Sequence, residues 1–229
     1  MCFELLKSSL GKKYVMAVTG VFLSLFVIAH LLGNLQIFLG PEALNGYAAH
    51  LDELSWLLWP ARVILLTALI THIVTAVSLA IANRKSRPVP YADQNTVQAS
   101  YASRTMMLSG PLISAFIVYH LLHFTFGKIH PEFAGFLDAK GRDDVYSMVV
   151  LSFRDRPIAV SYVAAMGILA FHLSHGFSSL FQSLGLNNDT WKRKLRKGGV
   201  VLACLIFLGF SSIPLAVLWG WLKPLNGGF

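Results

Sequence analysis

The stretch YVMAVTGVFLSLFVIAHLLGNLQIFL, from Tyr14 to Leu39, contains no Asp, Glu, Lys or Arg and includes one histidine, His30. A helix needs roughly 20 consecutive, mostly apolar residues to cross the hydrocarbon core of a bilayer. This stretch exceeds that length and is too long for the apolar part of a secretory signal, and no small-residue cleavage site follows it. It therefore predicts a transmembrane helix that is retained in the mature chain.

Four further segments have a similar length and composition. They run over about 56–82, 106–127, 157–184 and 198–222. Of the 229 residues, 55% are hydrophobic and only 13% are charged, whereas a soluble domain has about 25% charged residues. The sequence thus predicts an all-α integral membrane protein, a single domain over 1–229 built as a bundle of five transmembrane helices.

The net charge of +8 indicates helix orientation and not nucleic-acid binding, because the basic residues flank the apolar segments. Three stretches are rich in them: the N-terminal residues, the loop after the second segment and the loop before the fifth. They contain Lys7, Lys12, Lys13, Arg84, Lys85, Arg87, Arg104, Lys192, Arg193, Lys194, Arg196 and Lys197. Because these stretches alternate along the chain, they lie on one side, which the positive-inside rule makes cytoplasmic. We expect a cytoplasmic N-terminus and an external C-terminus.

Histidine is almost the only readily charged residue type within the five segments. The first segment holds His30, the second His72, the third His120 and His123, and the fourth His172 and His175. Ionisable groups inside a membrane are costly and usually functional. A proton relay would need carboxylate partners, which the segments lack, whereas neutral imidazole is a good axial ligand of haem iron.

Depth in the membrane sorts these histidines into two groups, at about 1.5 Å of rise per residue. The outer half holds His30 and His120, and the inner half holds His72 and His172. The pattern predicts two stacked b-type haems, each held by two histidines. His123 and His175 lie three residues after His120 and His172 on the same helix face, so spacing allows either member of each pair to be the ligand.

Four stretches cover all the histidine-bearing segments: MAVTGVFLSLFVIAHLLGNLQIFLGPEALNGY from Met16, THIVTAVSLAIANRKSRPVPY from Thr71, YHLLHF from Tyr119 and FHLSHGFSSLFQSLGLNN from Phe171. As a set they resemble the cytochrome b subunit of succinate dehydrogenases and fumarate reductases, of the single-chain, five-helix, di-haem type. The fifth segment is generic.

The resemblance implies a choice between the neighbouring histidines. In that family the ligand of the fourth helix lies four residues before a glycine, which implies His172 before Gly176. The ligand of the third helix is the earlier histidine and follows an aromatic residue, which implies His120 after Tyr119. His72 and His172 are then expected to hold the haem nearer the cytoplasm, and His30 and His120 the outer one.

The resemblance also implies the partners and the place in metabolism. We expect a respiratory membrane anchor, in a bacterial inner membrane, that passes electrons between an iron–sulfur subunit and membrane quinone, preferably menaquinone. That subunit and a flavoprotein with the dicarboxylate site would dock on the cytoplasmic face, for which the basic loop with Arg84, Lys85 and Arg87 is suited. The dicarboxylate reaction itself would not occur on this chain, and neither reaction direction is favoured.

One acidic loop offers a candidate quinone or proton-exit site. It follows the first segment and carries Glu42, His50, Asp52 and Glu53, but no lysine or arginine. Two other functions are compatible with the sequence as a whole. One is the cytochrome b subunit of another quinone-linked dehydrogenase or hydrogenase, and the other is a haem-free transporter with histidines along a proton path.

Overall fold

The computed structural model describes residues 8–86, 101–133, 135–185 and 188–225. The regular elements within these residues are helices, apart from one β-bridge between Leu137 and Asp143. The helices are α1 (Ser9–Leu35), α2 (Pro41–Glu53), α3 (Ser55–Lys85), α4 (Tyr101–Arg104), α5 (Met106–His120), α6 (Val145–Arg154), α7 (Arg156–Ser183) and α8 (Asp189–Leu218). A 3-10 turn (Gln36–Leu39) extends α1, a π-helical turn (Leu121–Thr125) extends α5, and a short 3-10 helix covers Pro131–Phe133.

Five helices are long and apolar enough to cross a membrane, namely α1, α3, α5 with its π-helical turn, α7 and α8. This confirms the predicted all-α architecture with five spans. Their outward surfaces are apolar: Leu25, Val74 and Val118 are 60%, 62% and 59% exposed. A continuous apolar surface of this kind is unfavourable in water and is expected where lipid is the solvent. The chain is therefore a multi-pass membrane protein.

The packing of the spans places α1 and α7 at the centre of the bundle. The most extensive contact is between α7 and α8, while α1 packs on α3 and α5 packs on α7. Helix α1 also contacts both α7 and α8. At the crossing of α1 and α8, a Cβ on Gly209 would lie only 2.9 Å from Leu31 Cδ1. The missing side chain thus permits the close approach that is typical of membrane helices.

The best-buried apolar cluster lies at the end of the bundle where α1 finishes. There α2 and α6 fold against the spans and bury Ile37, Val150 and Phe153. Asn45 of α2 is also buried, donates to Asp144 Oδ1 at 3.0 Å and accepts from the Tyr146 backbone N–H at 2.9 Å. These bonds fix α2 to the start of α6 and form a folded cap over this end.

The fifth span begins earlier than hydropathy predicts. Helix α8 starts at Asp189 instead of 198, and ends at Leu218 instead of 222. The basic residues before 198 form its first turns, because lysine and arginine are good helix formers. Asn188 caps the helix by accepting from the Trp191 backbone N–H at 2.9 Å. Hydropathy detects the lipid-crossing part of a helix and does not detect such a polar extension.

Candidate functional site

The histidines of the spans lie in two layers along the bundle. Following the predicted orientation, we name the layer nearer the start of α1 the inner layer and the other the outer layer. The inner layer contains His72 of α3 and His172 of α7, which are close enough to interact electrostatically. The outer layer contains His30 of α1 and His120 of α5, whose ring centroids are 5.9 Å apart with planes at 83°.

A hydroxyl group of α1 orients His72. Thr19 Oγ1 lies 3.0 Å from His72 Nδ1 and donates its own hydrogen to the Val15 carbonyl at 2.8 Å. The Thr19 oxygen therefore accepts a hydrogen bond from His72 Nδ1–H. Because a neutral imidazole carries a single N–H, His72 Nε2 keeps its lone pair. This tautomer is the one that binds a metal through Nε2, with an oxygen atom supporting Nδ1.

The same arrangement occurs at the other inner histidine. Ser109 Oγ of α5 lies 3.1 Å from His172 Nδ1 and donates to the Met106 carbonyl at 3.3 Å. His172 Nδ1–H thus donates to Ser109, and His172 Nε2 is left with its lone pair. Both inner histidines are therefore held, each by the helix next to it, in the tautomer that suits an axial ligand.

A glycine follows each of these hydroxyl residues. A Cβ on Gly20 would lie 3.5 Å from His72 Cε1, and a Cβ on Gly110 would lie 4.0 Å from His172 Cε1. Each imidazole therefore lies within van der Waals distance of the position that a side chain would occupy if the glycine were replaced.

Helices α1 and α5 repeat this pattern with the same spacing. His30 follows Thr19 by 11 residues (30 − 19), and His120 follows Ser109 by 11 residues (120 − 109). Eleven residues make about three turns and about 16 Å of rise, so the hydroxyl and the histidine share one helix face. Each helix thus supports an inner histidine and supplies an outer one, with the two layers about 16 Å apart.

Tyr162 of α7 links two histidines at the outer layer. Its hydroxyl lies 2.9 Å from His123 Nδ1 and 3.4 Å from His120 Nδ1. Tyr162 and His123 are only 6% and 2% exposed. Phe116 stacks on His120, with ring centroids 6.0 Å apart. His120 is therefore held by an aromatic wall and a phenol, and His123 is a buried polar group with one bonded nitrogen.

His30 is held differently from the other three. Phe26 stacks on its ring at 5.3 Å, and the Asn34 side-chain amide lies 3.4 Å from its Nε2. The same amide donates to the His30 carbonyl over a shorter distance, 2.8 Å. Metal binding at His30 Nε2 would replace the longer contact, and Asn34 would keep the shorter bond.

These residues fit a haem with two axial imidazoles. Metal–imidazole bonds are about 2 Å long, so two such rings on opposite sides of a metal have centres roughly 6 Å apart; the His30–His120 separation is 5.9 Å. A Cβ on Gly176, one turn from His172, would meet nothing within 4 Å, which leaves open space beside this part of α7. No three His, Cys, Asp or Glu side chains among the described residues could together hold a metal ion, and a haem iron needs only two protein ligands.

An open cavity of about 260 Å³ lies near the start of α1, and its surface is mainly apolar, with Met16 and Leu79 in the lining. The polar part of the lining includes Lys13 of α1, Asn83 of α3, and Ser179 and Gln182 of α7. These residues lie two to three turns beyond the inner histidines, toward the end of the bundle where the N-terminus lies. One cation with several neutral donors suits a ligand that carries carboxylates.

The acidic residues predicted to line a quinone or proton-exit site do not converge. Glu42, at the start of α2, accepts from Arg142 Nη2 at 2.9 Å and from Lys140 Nζ at 2.7 Å. His50 and Glu53, at the other end of α2, form a 3.6 Å contact and are 65% and 77% exposed; Asp52 is also exposed. The 11 residues from Glu42 to Glu53 separate these two groups by about 16 Å.

Sequence reasoning did not identify Thr19, Ser109 or Tyr162. A signal for the first two is present, since each is a hydroxyl residue followed by glycine and then, 11 residues after the hydroxyl, by a histidine. No comparable pattern marks Tyr162, which is one aromatic residue among many. His175, the unchosen neighbour of His172, is partly buried.

A scan against protein-family models found no match, and neither did searches of curated proteins and of solved structures.

Proposed function

We propose that this chain is the membrane-anchor cytochrome b subunit of a succinate:quinone oxidoreductase, working as succinate dehydrogenase or quinol:fumarate reductase. It would pass electrons between an iron–sulfur subunit and membrane quinone. The observation that supports this most directly is the pair of hydroxyl–imidazole bonds, Thr19–His72 and Ser109–His172. They orient two histidines in the middle of apolar helices so that each Nε2 keeps its lone pair and can bind a metal. A proton path would not require the same tautomer to be held at both histidines.

His72 and His172 would bind the inner haem iron, and His30 and His120 the outer one. A haem supplies reversible one-electron chemistry, and its potential depends on the axial ligands and on their hydrogen bonds. Thr19 and Ser109 would make the inner imidazoles more basic by accepting from Nδ1–H. Tyr162 would do the same for His120 over a longer distance, 3.4 Å.

The cavity near the start of α1 would accommodate the carboxylates of the inner haem. Lys13 supplies a positive charge, and the Asn83 and Gln182 amides supply neutral donors. A carboxylate in this cavity would thus meet a cation at the membrane edge instead of hydrocarbon. On the outer side Glu42 is paired with Arg142 and Lys140, and the quinone or proton-exit site expected at Glu42, His50, Asp52 and Glu53 stays a prediction.

The basic end of the bundle would bind the soluble subunits. Arg84 and Lys85 end α3, and the first turns of α8 carry five basic residues, Lys192, Arg193, Lys194, Arg196 and Lys197. Membrane orientation accounts for these charges, and they also provide a surface complementary to an acidic partner. The expected partners are a flavoprotein with the dicarboxylate site and an iron–sulfur protein.

Purification of the native complex from membranes tests this proposal. We expect two b haems per chain in the pyridine haemochrome assay and reduction of both haems when succinate is added, or oxidation by fumarate. Co-purification of a hydrogenase or formate dehydrogenase in place of a flavoprotein would assign the same cytochrome to another complex. A purified protein without a Soret band would overturn haem binding and would favour the haem-free transporter.

A further inference from the structure

Two buried imidazole nitrogens near the outer layer have no hydrogen-bond partner among the residues that the structure describes. They are His123 Nε2 and His130 Nε2. The two rings are 5.6 Å apart between centroids, with planes at 49°, and they do not bond each other directly. A buried polar atom without a partner is unfavourable. One ordered water between the two rings would give both nitrogens a partner.

The hydrogen bonds at the Nδ1 atoms of the two rings determine which Nε2 carries a hydrogen and can donate it. His130 Nδ1 lies 2.8 Å from Glu132 Oε1, and an ionised carboxylate only accepts. His130 therefore carries its hydrogen on Nδ1, and its Nε2 is an acceptor. Under the proposed haem ligation His120 binds iron through Nε2, so its Nδ1–H donates to the Tyr162 oxygen at 3.4 Å, and the Tyr162 hydroxyl donates to His123 Nδ1 at 2.9 Å. His123 then carries its hydrogen on Nε2, which is a donor.

The His123 Nε2–H and the His130 Nδ1–H consequently both point away from the outer layer and toward the protein surface. His123 is 2% exposed. The His130 side chain is 21% exposed and that of Glu132 is 56% exposed. Phe133 stacks on His130 with ring centroids 4.9 Å apart and keeps this ring in place. The series His123, His130, Glu132 thus runs from a fully buried group to one in contact with water.

We propose that His123, a bridging water, His130 and Glu132 form a proton-transfer chain between the outer layer and the aqueous phase on that side. Tyr162 is a positioning residue that sets the tautomer of His123. This proton-transfer chain would carry the protons that a quinone takes up or a quinol releases at the outer layer. The inference therefore rests on the proposed function.

The proton balance is that of the quinone couple. Reduction of one quinone takes two electrons, which the proposed haems would supply, and two protons, which would pass from Glu132 through His130, the water and His123 to the quinone oxygens. Oxidation of one quinol would give up two electrons and release two protons along the same residues in the opposite order. Each transfer breaks one N–H or O–H bond and forms one on the next group.

Single variants of the intact complex test this proton-transfer chain. We expect His123→Gln to lower quinone-linked turnover on the order of 100-fold, the low end of what a positioned proton donor contributes. His130→Ala and Glu132→Ala should lower it less, because water reaches both sites. Haem content and the rate at which the soluble subunits reduce or oxidise the haems should not change in any of the three, and the haem potentials should not change in His130→Ala or Glu132→Ala.

Lys128→Ala provides a control on the same connection, because Lys128 is exposed and lies outside the proposed series. It should leave turnover at the wild-type value. Added 4-methylimidazole should restore turnover to His130→Ala, and added formate should restore it to Glu132→Ala. A structural role would not respond to these small proton carriers.

Wild-type turnover in both His130→Ala and Glu132→Ala would overturn the proton chain, as would a loss in either that its proton carrier does not restore. Those results would leave haem binding intact. A wild-type complex that lacks haem, or whose haems do not respond to quinone, would instead overturn the proposed function and this inference with it.

Discussion

His72 donates the hydrogen of its Nδ1 to Thr19 Oγ1 over 3.0 Å, across the contact between α3 and α1. This bond couples helix packing to ligand chemistry, because the same contact that brings the helices together selects the tautomer of the imidazole. Ser109 and His172 repeat the relationship between α5 and α7 at 3.1 Å. Proteins that bind a metal through histidine commonly support the second ring nitrogen in this way.

Removal of the supporting hydroxyl should weaken binding of the inner haem. Thr19→Val keeps the shape of the side chain and removes the acceptor, and Ser109→Ala does the same at His172. We expect haem affinity to fall by about 10- to 100-fold, as when other supporting partners of metal ligands are lost. Transfer of haem to apomyoglobin measures the change. Thr67→Val is the control, because the exposed Thr67 hydroxyl of α3 donates only to the Val63 carbonyl; equal losses in Thr67→Val and Thr19→Val would contradict the role of Thr19.

Single replacement of each proposed ligand should remove one haem and leave the other. His72→Ala or His172→Ala should abolish the inner haem, and His30→Ala or His120→Ala the outer one, since each haem would lose one of its two bonds from iron to the protein. The pyridine haemochrome assay counts haems per chain, and redox titration identifies which one is lost.

The neighbouring histidines serve as the matched controls for this series. His123→Ala and His175→Ala should retain both haems with unchanged stoichiometry. Loss of the outer haem in His123→Ala, with retention in His120→Ala, would reverse the assignment on α5. The corresponding result for His175 and His172 would reverse it on α7.

Acid should destabilise the cap through Asp138. Arg142 donates to this carboxylate and lowers the pKa of Asp138 from 3.8 to about 2. A carboxyl group whose pKa is lower in the folded state stabilises that state above its ordinary pKa and loses this contribution as the pH falls toward the folded value. The Tm in detergent should therefore fall between about pH 4 and pH 2 more steeply for the wild type than for Asp138→Asn. Parallel Tm–pH curves for the two proteins would show that Asp138 has no such effect, and Asp52→Asn on exposed α2 should follow the wild type.

Labelling of introduced cysteines tests the orientation of the bundle. In a background with Cys2→Ser and Cys204→Ser, we expect Asp52→Cys to react with a membrane-impermeant maleimide in intact spheroplasts. Lys194→Cys should react only after the membrane is opened, because the positive-inside rule places the basic end in the cytoplasm. The reverse labelling pattern would invert the inner and outer layers.

The contact between α1 and α8 depends on the absence of a side chain at Gly209. A Cβ there would lie 2.9 Å from Leu31, whereas a Cβ on Gly176 would meet nothing within 4 Å. We expect Gly209→Ala to destabilise the protein by about 1–3 kcal/mol, which is the usual effect of overpacking. Gly176→Ala should not lower the Tm, because alanine has the better helix propensity. Equal thermal stability of the two variants in detergent would show that Leu31 moves aside without cost.

The five spans and the two histidine layers could be predicted from sequence, because both depend on quantities that are linear along the chain. Hydropathy summed over about 20 residues reports whether a helix can cross the bilayer. Depth follows from the count of residues at about 1.5 Å each, which placed His30 with His120 and His72 with His172. The early start of α8 at Asp189 escaped the same reasoning, because a polar helical turn has no hydropathy signal.

The partners of those histidines were decided only by the tertiary structure. The rotation of each helix and the identity of its neighbour decide which hydroxyl bonds His72. They also place the Tyr162 phenol between His120 and His123. The cap formed by α2 and α6 likewise depends on contacts between distant residues, such as Asn45 with Asp144. Sequence by itself determined the depth of each group in the bilayer. The rotation of the helices about their axes is set by side-chain packing between helices, and that packing decided which groups touch.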